Sequence, residues 1–167
     1  MKTASRSRVA FESVSPLLFD EAVTRARELL AKEGFGIVSE IDVAATFQRK
    51  LGLTVPPCLI LGACHAPSAH RALGEAPEVS VLLPCNVTVS VERGRTVVRA
   101  MDPETVMAIV GKPALAPIGA EVGAALKRVV SALGKTPAPA TASRRAGRTP
   151  RAPGRGSRTT SRRSGRA

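Results

Sequence analysis

The chain has 167 residues, 44% of them apolar, which suits one folded domain and excludes a collagen-like or wholly disordered chain. Its three cysteines are too few for a disulfide scaffold. The net charge of +12 is uneven: residues 1–133 hold 15 basic and 13 acidic side chains, whereas residues 134–167 hold ten basic and none acidic.

Residues 8–13 alternate and predict a short strand, with Val9, Phe11 and Ser13 on one face. Ser15-Pro16 predicts a helix start, since proline is tolerated in the first turn. Phe19, Val23, Ala26 and Leu30 form the apolar stripe of that helix, and Gly34 ends it. Residues 36–41 predict a second strand. Asp42 then caps a short helix that runs through Lys50 and stops at Gly52. After the Pro56-Pro57 break, Cys58-Leu59-Ile60-Leu61 is a compact apolar run that predicts a buried strand, and a short helix follows over residues 68–73. Residues 79–91 predict a long β-rich stretch with a bulge or edge at Pro84, which cannot donate to a ladder. Arg93-Gly94 predicts a hairpin turn into residues 96–101. Asp102-Pro103-Glu104 starts another short helix. The last element is a helix from about Pro117 to Leu133, with Ile118, Val122, Ala125 and Val129 as its stripe and Gly134 as its close. The hairpin argues for antiparallel pairing. The predicted fold is therefore α+β, an antiparallel-rich sheet with helices packed on one face, rather than a doubly wound parallel sheet.

No secretory signal is visible, because residues 9–13 alternate where an apolar stretch is needed. The best apolar run, residues 55–64, is half the length of a membrane span and contains Pro56 and Pro57. A soluble, cytoplasmic protein with reduced Cys58, Cys64 and Cys85 is expected. Glycine-rich dinucleotide and phosphate loops, C-x-x-C, H-E-x-x-H and G-x-S-x-G are all missing, which removes the direct routes to a dehydrogenase, nucleotidase, zinc protease or serine hydrolase. With neither Trp nor Tyr, the domain also lacks the stacking platforms that single-strand nucleic-acid binding relies on.

Three phrases carry a family resemblance: Gly34-Phe35-Gly36-Ile37-Val38-Ser39-Glu40-Ile41-Asp42-Val43; Leu61-Gly62-Ala63-Cys64-His65-Ala66-Pro67, continuing to Leu73; and Leu82-Leu83-Pro84-Cys85-Asn86-Val87-Thr88-Val89, followed by Met101-Asp102-Pro103. Together they resemble the prokaryotic family called domain of unknown function 302, over roughly residues 8–133. The resemblance implies a fold of the strand, helix, four strands, helix kind and a homodimer, and it implies no established activity. His65 departs from it: the family more often has Asn there in a Cys-Asn-Pro-like phrase, and here Ala66 also separates that position from Pro67.

The chemistry-bearing residues lie in the second and third phrases. Cys64 precedes a short helix, whose N-terminus favours a thiolate. Cys85 follows Pro84, and His65 is a candidate base or metal ligand. A site built from Cys64, His65 and Cys85 would hold a soft metal or act as a thiol pair in redox or sulfur chemistry. The competing reading makes the cysteines small core hydrophobes. Adjacent strand residues point to opposite faces, and the Cys64–Cys85 separation fits no standard zinc pattern. Cys58 reads as core and His70 as solvent-facing. Glu40 and Asp42, two apart on a strand, are a possible acid pair, although Asp42 is more simply a helix cap.

Residues 135–167 contain only Ala, Gly, Pro, Ser, Thr, Lys and Arg, a composition that predicts disorder and suits nonspecific contact with phosphates. An adventitious extension of a GC-rich coding sequence would look the same. The domain reading is 1–133 for the α+β unit and 134–167 for the basic tail. The function reading is a binding or structural module, homodimeric as the resemblance implies, with polyanion contact through the tail; the alternative is thiol or metal chemistry at Cys64 and Cys85. No cofactor, substrate or enzymatic reaction is indicated.

Overall fold

The computed structural model describes residues 5–6 and 9–135. In chain order the elements are β1 (Ser5–Arg6), β2 (Ala10–Ser15), α1 (Phe19–Lys32), β3 (Gly36–Asp42), α2 (Val43–Leu51), β4 (Cys58–Cys64), α3 (Ala66–Glu75), β5 (Cys85–Glu92), β6 (Arg95–Met101), α4 (Pro103–Ala108) and α5 (Ala116–Lys135). The strands form one antiparallel sheet in the order β1-β2-β6-β5-β4-β3. Five of them are substantial, and β1 is a two-residue addition at one edge.

The register explains where the core sits. Phe11, Ala100, Val87 and Leu61 stand opposite one another across β2, β6, β5 and β4. All four are buried and join one cluster with Ala22, Ala26 and Leu30 of α1 and Val122, Leu126, Val129 and Leu133 of α5. The next residue on each strand points to the other face, giving the row Glu12, Arg99, Thr88, Ile60 and Ile41, none of which enters that cluster. The fold is the expected α+β sheet with helices on one face, and the α5 stripe Ile118, Val122, Ala125 and Val129 is buried as its spacing predicts.

Local chemistry sets several boundaries as read. Asp42 Oδ1 accepts from the Ala45 N–H at 2.8 Å, capping α2, and Gly52 closes that helix at φ 67°. Some elements are shifted or longer than read: the first strand is Ala10–Ser15 rather than 8–13, the helix after Cys64 is Ala66–Glu75 rather than 68–73, and β4 reaches Cys64. Three further differences have a visible cause. The first helix starts at Phe19, not at Pro16, because Ser15 still pairs with Thr96 and its Oγ donates to the Leu133 carbonyl at 3.0 Å. Pro77–Leu82 is a 3-10 helix rather than strand: Val79 is buried and Val81 exposed, an alternation that imitates a strand's. Finally, α5 continues through Gly134 to Lys135. There a Cβ would come within 3.0 Å of Ser13 Cβ, so the glycine serves close packing of helix on strand instead of ending the helix.

Among the described residues no helix is long and apolar enough to cross a membrane. The tail from residue 136 onward, and the first residue of the predicted first strand, Arg8, lie outside the described residues.

Candidate functional site

The three phrases, far apart in sequence, meet at the end of β4. Gly36 of β3 pairs with Cys64, and Ala63 pairs with Cys85 of β5. Gly62 is where they are tightest: a Cβ there would overlap Ser39 Oγ and stand 2.7 Å from Pro84 Cγ. At Gly34 the chain turns with φ +83°, and a Cβ would stand 3.1 Å from His65 Cδ2 and 3.2 Å from Nε2. The next residue, Phe35, is buried and places its ring 5.5 Å from the imidazole centroid at 55°. His65 is thus held between the Gly34 turn, the Phe35 ring and the first turn of α3, for which it is the N-cap residue.

A hydrogen-bond chain fixes the ring from the other side. His65 Nδ1 lies 2.8 Å from Ser68 Oγ. Ser68 is only 2% exposed; its hydroxyl donates to Glu121 Oε1 of α5 at 3.2 Å and accepts from Arg71 Nη2 at 3.2 Å. Arg71 also donates to Glu121 Oε2 at 2.5 Å, and that guanidinium holds the Glu121 carboxyl below the usual carboxylate range. A second pair lies nearby: Arg128 of α5 donates through Nη2 and Nε to the Glu33 carboxylate at 2.7–3.2 Å and lowers the Glu33 pKa.

His65 and Val122 line two different cavities. On one side Ala63, Cys64, Ser68, Ala69, Leu83, Cys85 and Met107 enclose about 10 Å³, room for about one water. Cys64 and Cys85 therefore share a wall, as the sequence reading required. Burial, with Cys64 adding to it, pushes the Cys85 thiol up to about 11, so at neutral pH it is protonated and a poor nucleophile or ligand. On the other side Glu33, Phe35, Glu121, Ala125 and Arg128 complete a cleft of about 120 Å³, room for several water-sized groups.

The remaining candidates fall elsewhere. All three cysteines are free, and Cys58 sits at the far end of β4 from Cys64, its thiol raised chiefly by burial. His70 is exposed on α3. Glu40 and Asp42 have separate tasks: Glu40 takes two hydrogen bonds of 2.5 Å from Arg27, and Asp42 caps α2. Among the described residues no group of three or more His, Cys, Asp or Glu side chains is placed to hold a metal ion. Sequence reasoning missed Glu33, Ser68, Arg71, Glu121 and Arg128. Ser68, three residues after His65 at a helix start, carried a readable signal, because that spacing brings two side chains together in a first turn.

Comparison with known families matches residues 11–133 to the family described as Domain of unknown function DUF302. The crystal structure of an uncharacterized conserved protein DUF302 from Bacillus stearothermophilus is similar: 29% identical, covering 74% of this chain and 97% of that one, with a TM-score of 0.70. No curated protein matches the chain.

Proposed function

The chain belongs to the DUF302 family, and we propose that it is a noncatalytic binding module whose ligand site is the cleft beside His65. The observation that carries this reading is the meeting of three separate sequence phrases at one imidazole, with a cleft of about 120 Å³ left open there. Binding without turnover is favoured because two of the three nucleophiles near His65 are unavailable, Cys85 being buried and protonated and Ser68 buried and bonded to three partners, while the third, Cys64, faces a pocket with room for only about one water. A fragment screen by thermal shift tests it. A ligand at about a hundred times its Kd should stabilise the protein by about 2.7 kcal/mol. Ala125→Leu, which narrows the cleft, should abolish that shift. A panel that gives no shift, or shifts equal in the variant, overturns the reading.

Two further elements belong to the proposal. The module is a homodimer in the cytoplasm. What supports self-association is the row of apolar residues on and after the sheet-edge strand β3: Val38, Ile41, Phe47, Leu51 and Leu53 are each 39–64% exposed. Free thiols at all three cysteines suit a reducing compartment. Sedimentation equilibrium on Phe47→Asp should show the monomer, and a monomeric wild type overturns the dimer. The polyanion contact comes from the tail, supported by nine arginines and no acid in residues 136–167. Removing those residues should abolish salt-sensitive DNA or RNA binding, and undiminished binding by the truncated chain overturns that part.

A further inference from the structure

Resting on the reading of the cleft as a ligand site, we infer that its occupant is a small uncharged molecule that both donates and accepts hydrogen bonds, of the carboxamide kind, because two arginine–glutamate pairs leave the wall without a free charge. Glu33 and Glu121 stand in the wall, and each is already taken. Arg128, also in the wall, reaches the Glu33 carboxylate with Nε and Nη2 at 2.7–3.2 Å. Arg71 of α3 reaches Glu121 Oε2 at 2.5 Å from outside the wall. Each guanidinium holds its carboxyl below the usual carboxylate range, so both acids stay ionised at neutral pH. The two pairs sum to a formal charge of zero.

That neutrality decides against an ion of either sign. An ammonium could join Glu33 or Glu121 only against the repulsion of the guanidinium already there, or in its place. A carboxylate or phosphate stands in the same relation to Arg128 and Glu33. Either exchange makes one ion pair and breaks another, while the incoming ion gives up hydration. The pairs are partly exposed, Glu33 at 26% and Arg128 at 62%, so it is the absence of a net gain, and not the strength of the pairs, that disfavours the exchange. An uncharged ligand meets no such exchange. The carboxylates keep lone pairs for an N–H donor, and Arg128, which holds Glu33 with Nε and Nη2, keeps Nη1 as a donor toward a carbonyl. Phe35, Val122 and Ala125 give the cleft an apolar side for the ligand's hydrocarbon part, and a space of about 120 Å³ limits that part to a few carbon atoms. A carboxamide carries the donor and the acceptor on one flat group without a charge.

The test titrates the full chain with three probes of one shape, acetamide, acetate and acetamidinium, at about pH 8, where an imidazole is neutral. Binding is followed by the chemical shifts of Phe35, Val122 and Ala125. Acetamide should bind about tenfold tighter than either ion, with an affinity that moderate salt leaves unchanged. Unpairing the wall should then change the preferred charge. Glu33→Gln frees Arg128 and should turn the preference to acetate; Arg128→Ala frees Glu33 and should turn it to acetamidinium. A denaturant titration verifies that both variants fold, and a purely structural role would move stability without changing which probe is preferred. A wild type that prefers either ion, equal binding of all three probes, or variants that keep the wild-type order overturns the uncharged assignment and leaves the cleft as a ligand site. Should all three bind too weakly to register, the fragments that bind the cleft decide: uncharged ones support the assignment and charged ones overturn it. No cleft binder of any kind overturns the ligand site as well.

Discussion

On one side of His65, Cys64, Leu83, Cys85 and Met107 close around about 10 Å³; on the other, Glu33, Phe35, Glu121 and Arg128 border about 120 Å³. The first region holds the residue types most often associated with chemistry and the second holds ordinary surface ion pairs. Yet burial keeps the Cys85 thiol protonated, while His65, held through Ser68, also borders the larger second space. Reactive residue types mark a site only where space and protonation state agree with them. If the thiol pocket is core and the polar cleft is the site, substitutions in the first should cost stability and substitutions in the second should cost binding.

The largest effect tests the core assignment. Cys85→Asp places an unpaired carboxylate in a site only 4% exposed and should cost about 4 kcal/mol or more, unfolding much of the population in a denaturant titration. A well-folded Cys85→Asp protein would mean the pocket is wetter than its burial shows. The next effect is in pH. The Cys85 thiol titrates near 9.0 in the unfolded chain and at about 11 in the fold. A raised folded value means the stability is fully present below about pH 9 and is lost as pH rises through 11, about 2–3 kcal/mol in all. Cys85→Ala should make the alkaline limb of a stability–pH curve shallower, the remainder belonging to Cys58, which burial also raises, and an unchanged limb would contradict the burial argument.

Gly62→Ala comes third. Its Cβ meets Ser39 Oγ and Pro84 Cγ, so overpacking should cost about 1–3 kcal/mol by chemical denaturation. The smallest change in stability belongs to the cleft. Arg128→Ala breaks an ion pair whose arginine is 62% exposed and should cost less than about 1 kcal/mol. Because Arg128 lines the cleft, the same substitution should also change the affinity of a fragment from the screen in a calorimetric titration. A large loss of stability here with no change in binding would reverse the comparison.

Much of the scaffold was legible in the sequence because its signals are local. The Asp42 cap, the Gly52 stop, the Arg93-Gly94 turn and the α5 stripe each act within a few residues. Pro77–Leu82 misled because Val79 and Val81 alternate in a 3-10 turn as they would in a strand. Gly134 misled because a glycine that admits a neighbouring strand reads like one that ends a helix. Cys64, His65 and Cys85, singled out from the sequence, do line one small pocket, but the larger space beside it was not foreseen. Glu33, Glu121 and Arg128 are half-exposed or exposed charged residues, and only the packing of α5 beside the Gly34 turn and His65 turns them into a wall. Ser68 ties His65 to Glu121, 53 residues further along the chain, through a contact that no local spacing encodes.

The most direct test of the central claim is to map where a bound fragment sits by amide and methyl chemical-shift changes in the full chain. Perturbations centred on Phe35, His65, Val122 and Ala125, with Ala63, Cys85 and Met107 unmoved, are the predicted result. Perturbations centred on Cys64, Cys85 and Met107 instead would make the thiol pocket the site and contradict the account.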